Sequence, residues 1–307
     1  MPNASTDKPS PWTALDLVKW TAGYFRDHQI ENARSEAEIL LAHTLKTRRI
    51  DLYLNHDQPL CEEELKRFKS LIKRRVDGEP VAYITGTREF WSLELAVNPS
   101  VLIPRPETEC LVEAVLPLLD GHDGSMKRVL EMGAGSGAII IALAHEHPEH
   151  RYVAMDRSEA AVQTARQNAR MQQVDRLIDW FCGDWDAALV PNRETFDLIV
   201  SNPPYIRSRD INGLQPEIRN HEPRMALDGD GDGLRCIRHI IESAHRYLRT
   251  GGLVVLEMGA DQKKDVLAIA GKSGHYESPR IVRDYSGHDR VALMVKKGLR
   301  LHTNFVI

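Results

Sequence analysis

The feature that most constrains the fold is an alternation of short apolar runs with helical segments between residues 128 and 295. Short apolar runs bounded by turn residues are typical of buried strands. They occur at residues 128–131, 152–156, 178–182, 196–201, 253–257, 280–283 and 290–295. Strands that alternate with helices predict an α/β fold, in which a largely parallel sheet is covered by helices on both faces.

The segments between these runs predict helices at residues 138–146, 158–172, 234–248 and 262–272. Ser158 opens the second of them and is a residue type that caps a helix N-terminus. The last two apolar runs predict a terminal hairpin at the end of the sheet.

The chain from Pro11 to about Gly78 has a helical pattern throughout. Apolar residues recur there at intervals of three and four, the spacing of one helix face. Ser35 predicts an N-cap. A further helix is predicted at residues 61–76, with acidic residues in its first turn, basic residues in its last and Gly78 as its stop. Several helices without a strand predict a small bundle, for which we expect a recognition role.

The pattern changes after Pro80. Residues 83–97 alternate in a way that predicts a β-hairpin. Pro106 suits the first turn of a helix that runs to about Leu119. Residues 120–125 have the composition of a linker.

We therefore expect three parts in the chain. A helical domain spans residues 1–84, a β-hairpin linker spans residues 85–105, and an α/β domain with the catalytic chemistry spans residues 106–307.

The composition limits the partners that the protein can have. Of the 307 residues, 42% are hydrophobic and 27% are charged, and the net charge is −4. Such an acidic balance argues against a broad nucleic-acid-binding surface, so we expect no direct binding of nucleic acid. The four cysteines form no C-x-x-C pair, and three of them lie in or beside apolar stretches, which favours reduced, buried thiols.

We also expect no membrane span and no bound metal. No apolar run approaches the ~20 residues that cross a bilayer, and residues 1–11 lack the apolar region of a signal peptide, so a cytoplasmic protein is expected. The acidic run at residues 228–233 fits the first half of a calcium loop, but His239 stands where that loop needs a glutamate. The histidines show no metal-ligand spacing.

A glycine-rich stretch joins the first predicted strand of the sheet to its first helix. Its residues are Gly133, Ala134, Gly135, Ser136 and Gly137. Glycines allow a tight turn and let a ligand approach the backbone N–H groups at a helix N-terminus. The spacing predicts a nucleoside-containing cofactor but leaves open whether it is NAD(P) or S-adenosylmethionine, because both glycine patterns are satisfied.

Two later strand ends supply side chains suited to such a cofactor. Asp156 ends the second strand, where a carboxylate can accept hydrogen bonds from ribose hydroxyls. Asp184 and Trp185 follow the third strand, where an indole can pack against adenine. A strand-end turn with a half-buried tryptophan is the alternative.

The fourth strand ends in Asn202-Pro203-Pro204-Tyr205. The prolines cannot continue a strand and hold the backbone stiff, although Asn-Pro also begins ordinary turns. The side-chain oxygen of Asn202 and the carbonyl of Pro203 are two neighbouring acceptors, which can receive both hydrogens of an –NH2 group. The ring of Tyr205 can lie over the planar group and favour a sulfonium cation. We call the stiff turn at residues 202–205 the elbow. Hydride transfer does not need its pair of acceptors, so the elbow favours amino-methyl transfer.

Together these segments resemble the amino-methyltransferases that use S-adenosylmethionine. The stretches REFWSL at residues 88–93 and LIPRPETE at residues 102–109 are similar to those of the bacterial HemK/PrmC family of release-factor glutamine methyltransferases. The resemblance covers almost the whole chain, including the helical N-terminal part and the segment at residues 221–223.

The resemblance implies a Rossmann-like fold with a seven-stranded, mostly parallel sheet and a small N-terminal all-helical domain. It implies S-adenosylmethionine as cofactor, and as substrate the glutamine in the Gly-Gly-Gln motif of peptide chain release factors, which the N-terminal helices would bind. The implied cofactor-binding residues are Gly133, Ala134, Gly135, Ser136, Gly137, Asp156, Trp185 and Asn202. The implied substrate-binding residues are Arg105, Glu107, Asn202, Pro203, Pro204 and Tyr205, of which Asn202, Pro203 and Tyr205 are expected to be catalytic.

Four other functions stay open on the sequence alone. They are a glutamine methyltransferase acting on a ribosomal protein, a DNA adenine-N6 methyltransferase, a catalytically silent adaptor that docks on translation factors, and an NAD(P) oxidoreductase. A DNA enzyme needs a basic groove to offset phosphate charge, which the acidic net charge disfavours.

Overall fold

The computed structural model describes residues 12–120, 125–191 and 193–298. The chain divides into two units, which are described separately. Within the described residues, the first unit contains the chain up to Gly86 together with Pro216–His221, and the second contains the rest. The sequence predictions for residues 1–11, for most of the linker at 120–125 and for the tail from residue 299 fall outside the described residues.

The first unit is built from short helices. They are α1 (Ala14–Asp27), α2 (Ala33–Leu45), α3 (Asp51–Leu54), α4 (Glu62–Val76), α5 (Val81–Thr85) and an unnumbered helix Pro216–His221. Thr13 caps α1 by accepting a hydrogen bond from the Asp16 N–H. At the start of α4 the Glu64 carboxylate accepts from the Cys61 N–H at 2.8 Å. These local bonds satisfy N–H groups that a helix leaves without partners.

The core of the first unit contains the fully buried rings of Phe25 and Phe68. At its margin Arg75, whose side chain is 8% exposed, forms ion pairs with Glu36 at 2.6 Å and with Glu217. These carboxylates offset the cost of burying the guanidinium, which is strongly unfavourable without a partner.

Two predictions for this unit were wrong in detail. The N-cap of α2 is Asn32 and not Ser35, which lies within the first helical turn. The predicted β-structure begins later than residue 83, because Val81–Thr85 is a helical turn that ends at Gly86 with φ of +78°. Five residues are too few for apolar spacing to distinguish a helix from a strand. Gly86, which adopts a left-handed backbone easily, ends the helical turn.

The second unit begins with a hairpin and continues as an alternating α/β chain. The elements are β1 (Thr87–Phe90), β2 (Leu93–Ala96), α6 (Glu109–Leu119), β3 (Arg128–Met132), α7 (Ala138–Glu146), β4 (Arg151–Asp156), α8 (Glu159–Met171), β5 (Ile178–Cys182), β6 (Phe196–Ser201), α9 (Arg235–Ser243), β7 (Leu248–Glu257), α10 (Lys263–Ser273), β8 (Arg280–Arg283) and β9 (Asp289–Val295). Pro106–Thr108 forms a 3₁₀ turn ahead of α6.

Seven strands form one sheet in the order β5-β4-β3-β6-β7-β9-β8. The five strands from β5 to β7 are parallel, and β9 pairs antiparallel with both β7 and β8. The predicted α/β fold with a seven-stranded, mostly parallel sheet and a helical N-terminal region is confirmed.

Helices cover both faces of the sheet. Val129 of β3 and Leu198 of β6 point into one core with α6 and α7, whereas Leu130 and Ile199 point into a second core with α9 and α10. Since successive strand residues face opposite sides, strands buried on both faces consist of nearly continuous apolar residues. This explains why their positions could be predicted from the sequence.

One predicted helix ends early. The segment predicted as a helix at 234–248 is α-helical only as far as Ser243, continues as a 3₁₀ turn at Ala244–Arg246, and gives way to β7 at Leu248. Ala244 and Tyr247 are buried in the same core as α9, so the apolar spacing continues past the end of the helix. Among the described residues, no helix has the length and hydrophobicity that crossing a bilayer would require.

Candidate active site

A cavity of about 520 Å³ lies in the second unit at the carboxyl ends of its central strands. From β3 the chain proceeds outward through β4 and β5, and then returns to place β6 on the other side of β3. The loops that follow β3 and β6 therefore diverge, and ligands of open α/β sheets bind in the crevice between such loops.

The glycine stretch follows β3 and forms one wall of this cavity. Gly133, Ala134, Gly135 and Ser136 line it. The N–H groups of Gly133 and Ala134 both donate to the Met155 carbonyl at 2.9 Å, which fixes the loop against the end of β4.

Gly137 lies in the loop but does not line the cavity. It has φ of +80°, and a Cβ there would come within 2.9 Å of Ile141 Cδ1 and 3.1 Å of Ala165 Cβ. Gly137 therefore serves the close packing of α7 on its neighbours, which is a role that glycine alone can fill.

Asp156 ends β4 and lines the cavity, as predicted. One carboxylate oxygen accepts from the Gly135 N–H at 2.9 Å and the other from the Ser158 N–H at 2.8 Å. An ionised carboxylate has about four acceptor sites, so both oxygens keep capacity for ligand hydroxyls.

Trp185 also lines the cavity, together with Asp184. Its backbone is left-handed, with φ of +51°. A Cβ at Gly133 would lie 3.9 Å from the Cζ3 atom of this indole, so the ring sits directly over the glycine loop. The site thus combines an apolar ring, backbone N–H groups and a carboxylate.

The elbow follows β6 and forms the opposite wall. The Ser201 hydroxyl donates to the Met132 carbonyl at 2.5 Å, which joins the end of β6 to the end of β3. Asn202 and Pro204 line the cavity, whereas Pro203 is buried and Tyr205 points elsewhere. The structure therefore brings Asn202 together with the glycine loop and with Asp156.

Tyr205 is held by its hydroxyl and by its backbone. The hydroxyl donates to Glu257 at 3.0 Å, and burial raises the pKa of the phenol above its ordinary value. Gln262, which is buried, donates from its amide to the carbonyls of Tyr205 at 2.9 Å and Gly233 at 3.1 Å. Sequence reasoning missed both Glu257 and Gln262.

Arg105 and Glu107 lie in different surroundings. Arg105 lines the cavity and pairs with the buried carboxylate of Glu222 at 2.5 Å, which also accepts from the Ile103 N–H at 3.3 Å. Glu107 is exposed and does not line the cavity. The charge of Arg105 is therefore largely used in anchoring the loop before α6 to the segment that follows residue 221.

Glu131 is a further cavity residue that was not among the predicted site residues. It is the penultimate residue of β3 with only 1% exposure, and its carboxylate accepts from the Ile140 N–H at 3.1 Å. Burial raises its pKa well above the ordinary value, and the Asp156 charge adds to the rise. Its position next to the carboxyl end of a strand, close to that of Asp156 in β4, is the signal that could have identified it.

The fold brings together a group of possible metal ligands that the sequence spacing did not suggest. His147, Glu149 and His150 place their ligand atoms within 4.8 Å of one another. Both ring nitrogens of His150 contact the backbone, Nδ1 as acceptor from the Lys127 N–H at 3.4 Å and Nε2 at 3.1 Å from the Leu119 carbonyl. These contacts account for the buried ring, and none of the three residues lines the cavity.

Comparison with known proteins decides between the families that the site permits. Residues 16–86 match the PrmC N-terminal domain and residues 108–218 match the methyltransferase small domain. A release factor glutamine methyltransferase of Geobacter sulfurreducens is 42% identical over 286 residues, which are 93% of this chain and 98% of that protein. One of Salmonella typhimurium is 41% identical over 280 residues, which are 90% of this chain and 98% of that protein.

The chain belongs to the release factor glutamine methyltransferase family. Solved structures agree at the level of the fold. A methyltransferase from Pyrococcus furiosus superimposes with a TM-score of 0.50 at 20% identity, covering 74% of this chain and 98% of that one. The catalytic domain of hMettl16 superimposes with a TM-score of 0.52 at 17% identity, covering 77% of this chain and 82% of that one.

Membership in the release factor glutamine methyltransferase family confirms the resemblance carried by the elbow and by residues 88–109. The hydride-transfer alternative gives way to a methyltransferase. The roles of individual residues stay predictions, and the geometry makes them specific enough to test.

Gly233 offers one such test. Its φ is +75°, and a Cβ there would lie 2.5 Å from the Tyr205 carbonyl oxygen. We expect Gly233→Ala to lower the free energy of unfolding by about 1–3 kcal/mol, because the backbone is strained and the elbow carbonyl must move. Gly231→Ala is the matched control, since nothing lies within 4 Å of a Cβ at that position. Equal denaturant midpoints for the two variants would contradict the expectation.

Proposed function

We propose that this protein transfers the methyl group of S-adenosylmethionine to the side-chain nitrogen N5 of the glutamine in the Gly-Gly-Gln motif of peptide chain release factors. The observation that carries the proposal is the placement of Asn202 in the same cavity as Asp156 and the glycine loop. One wall suits a nucleoside, and the other offers acceptors to a planar amide.

The cavity residues fit S-adenosylmethionine. The cavity volume of about 520 Å³ is within the ordinary range for a small-molecule site. Asp156 would accept from the ribose hydroxyls, the loop from Gly133 to Ser136 would contact the cofactor through its backbone, and Trp185 would pack against the adenine. When bound, the cofactor supplies an electrophilic methyl group on a sulfonium.

The chain's own residues would act by positioning. An amide nitrogen is a poor nucleophile because its lone pair is delocalised into the carbonyl. Hydrogen bonds from both N–H groups to Asn202 Oδ1 and to the Pro203 carbonyl would orient the nitrogen toward the methyl carbon. The second bond requires the substrate to reach the carbonyl of Pro203, which is buried and outside the cavity lining. The target nitrogen would form its new N–C bond to that methyl group while the C–S bonding electrons stay with sulfur, and the nitrogen would then lose its extra proton to water. No general base is required.

The helical unit would hold the protein substrate. Trp12 and Trp20 are 46% and 50% exposed, and the Trp20 ring stacks on Tyr24 with centroids 5.2 Å apart. Exposed aromatic residues are enriched at protein interfaces. We therefore assign release factor docking to the helical domain at 1–84 and catalysis to residues 106–307, with 85–105 as the hairpin segment between them. A release factor substrate would place the protein in the cytoplasm.

Incubating the protein with a release factor and methyl-labelled S-adenosylmethionine tests the substrate. We expect a single added methyl group on the glutamine of the Gly-Gly-Gln motif, located by fragment masses. A release factor with that glutamine replaced by asparagine is the control and should stay unlabelled. Label found only on a ribosomal protein, or only on duplex DNA, would overturn the proposal in favour of that substrate.

Asn202→Ala tests the elbow. We expect the rate of methyl transfer to fall by at least about 10²-fold, because the target amide loses one of its two acceptors and its alignment. The measurement is single-turnover transfer to release factor, with thermal unfolding to show that the variant is folded. A rate near that of the unsubstituted protein would show that Asn202 does not orient the substrate.

Asp156→Ala tests the cofactor wall. Loss of hydrogen bonds to a charged acceptor is worth about 1.5–3 kcal/mol, so we expect the Kd for S-adenosylmethionine to rise about 10- to 100-fold. Isothermal titration calorimetry measures this without the protein substrate. Asp175→Ala is the control, since Asp175 is exposed and does not line the cavity. An unchanged Kd in Asp156→Ala would remove Asp156 from the cofactor site.

A further inference from the structure

The tryptophan at the cavity wall has an uncommon backbone conformation. Trp185 has φ of +51°, in the left-handed region that bulky residues rarely adopt. Such a conformation persists only where the surrounding structure holds it in place. Asp186, which follows directly in the chain, makes two side-chain contacts that fix this segment.

The Asp186 carboxylate has one hydrogen-bond partner on each oxygen. Oδ1 lies 2.7 Å from His239 Nε2, and Oδ2 accepts from the Tyr247 hydroxyl at 2.8 Å. Burial alone raises the pKa of Asp186, but the hydrogen bonds from Tyr247 and His239 bring it below the ordinary value. An ionised carboxylate only accepts, so His239 Nε2 carries a proton and donates it to Asp186.

Both donors belong to well-packed parts of the second unit. His239 lies on α9, and Tyr247 lies between the end of that helix and β7. The Tyr247 side chain is buried in the core that α9 and α10 form against the sheet. The Asp186 side chain is itself only 15% exposed. The carboxylate is therefore anchored to a rigid core, and water competes weakly for its hydrogen bonds.

His239 also contacts the tryptophan. The centroid of its ring lies 6.0 Å from that of the Trp185 indole, and the two planes are inclined by 43°. The indole packs in addition against the same core that buries Tyr247. One histidine thus contacts both the indole and the carboxylate of the residue after it, so the indole and the backbone that carries it are held together.

We propose that Asp186, His239 and Tyr247 form a clamp that holds the neighbouring indole over the glycine loop, where it packs against the adenine of S-adenosylmethionine. None of the three lines the cavity, so they are positioning residues that reach the ligand only through Trp185. A ring that is held before the ligand arrives does not have to be ordered on binding. The inference rests on the proposed function, in which the cavity binds that cofactor.

Calorimetric titration with S-adenosylmethionine tests the clamp without the protein substrate. We expect Asp186→Ala to raise the Kd about tenfold, because the indole then occupies the cavity wall for only a fraction of the time. Tyr247→Phe keeps the buried ring but loses one of the two bonds, and should raise the Kd about threefold. An unchanged Kd in Asp186→Ala would overturn the clamp. If that variant does not fold, an unchanged Kd in Tyr247→Phe overturns it instead.

A double variant separates the clamp from a general effect on the fold. Trp185→Ala should raise the Kd about 10- to 100-fold, which is the usual worth of stacking between a base and an aromatic ring. Because the clamp acts only through that ring, Trp185→Ala/Asp186→Ala should bind no more weakly than Trp185→Ala alone. Losses that multiply in the double variant would show that Asp186 acts by another route, and would overturn the inference.

Asp197→Ala is the matched control. Asp197 also accepts from two residues, from the Arg128 N–H at 2.7 Å and from the Arg249 guanidinium at 2.9 Å, but it does not line the cavity. Its side chain is 22% exposed, close to the value for Asp186. We expect the Kd of this variant to stay within about twofold of the unsubstituted value. A rise as large as that in Asp186→Ala would count against a specific clamp and overturn it.

A spectroscopic measurement needs no cofactor. In protein labelled with fluorotryptophan, the ¹⁹F signal of Trp185 is assigned by its loss in Trp185→Phe. We expect that signal to move toward the position of free fluorotryptophan in Asp186→Ala and to stay in place in Asp197→Ala. An unmoved signal in Asp186→Ala would overturn the inference. If the unsubstituted protein binds no S-adenosylmethionine, the proposed function fails while this measurement still decides whether the clamp holds the ring.

Discussion

The parallel pairing of β3 with β6 is the constraint on which the site depends. It places the glycine loop and the elbow side by side, and the Ser201 hydroxyl bonded to the Met132 carbonyl closes the join. Each loop forms one wall, and neither encloses a binding site alone. A sheet whose order reverses at its centre supplies a crevice without further specialised structure, and the side chains at the strand ends then decide what it binds.

The two walls of the cavity, the glycine loop and the elbow, are held rigid in different ways. The glycine loop needs left-handed backbone at Gly133, Gly135 and Gly137, and it is held by bonds to the end of β4. The elbow is stiffened by two prolines and by Gln262, whose side-chain amide donates a hydrogen bond to the Tyr205 carbonyl. Because positioning accounts for most of the proposed catalysis, such fixed backbone is more useful here than additional reactive groups.

The sheet was predictable because its strands are buried on both faces and its apolar runs are bounded by turn residues. Asp156 and Asn202 were predictable because strand ends in such a sheet converge on one edge. The helical turn at Val81–Thr85 was missed, since its few residues suit either element until Gly86 is considered. Glu257 and Gln262 were missed for another reason. Their partners are dozens of residues away in the chain, and no local pattern encodes such contacts.

The surroundings of Tyr205 also depend on a contact between residues that are far apart in the chain. The sequence placed its ring over the substrate amide, but its hydroxyl bonds to Glu257 and its side chain does not line the cavity. The Tyr205 hydroxyl is the donor to Glu257 Oε1, whereas Glu257 Oε2 has no hydrogen-bond partner among the described residues. A buried carboxylate is costly unless its oxygens are hydrogen-bonded, and the Tyr205 hydroxyl offsets part of that cost. The same hydrogen bond fixes the Tyr205 ring behind the elbow. A ring held in this way stiffens the turn that carries Asn202, which is what catalysis by positioning requires.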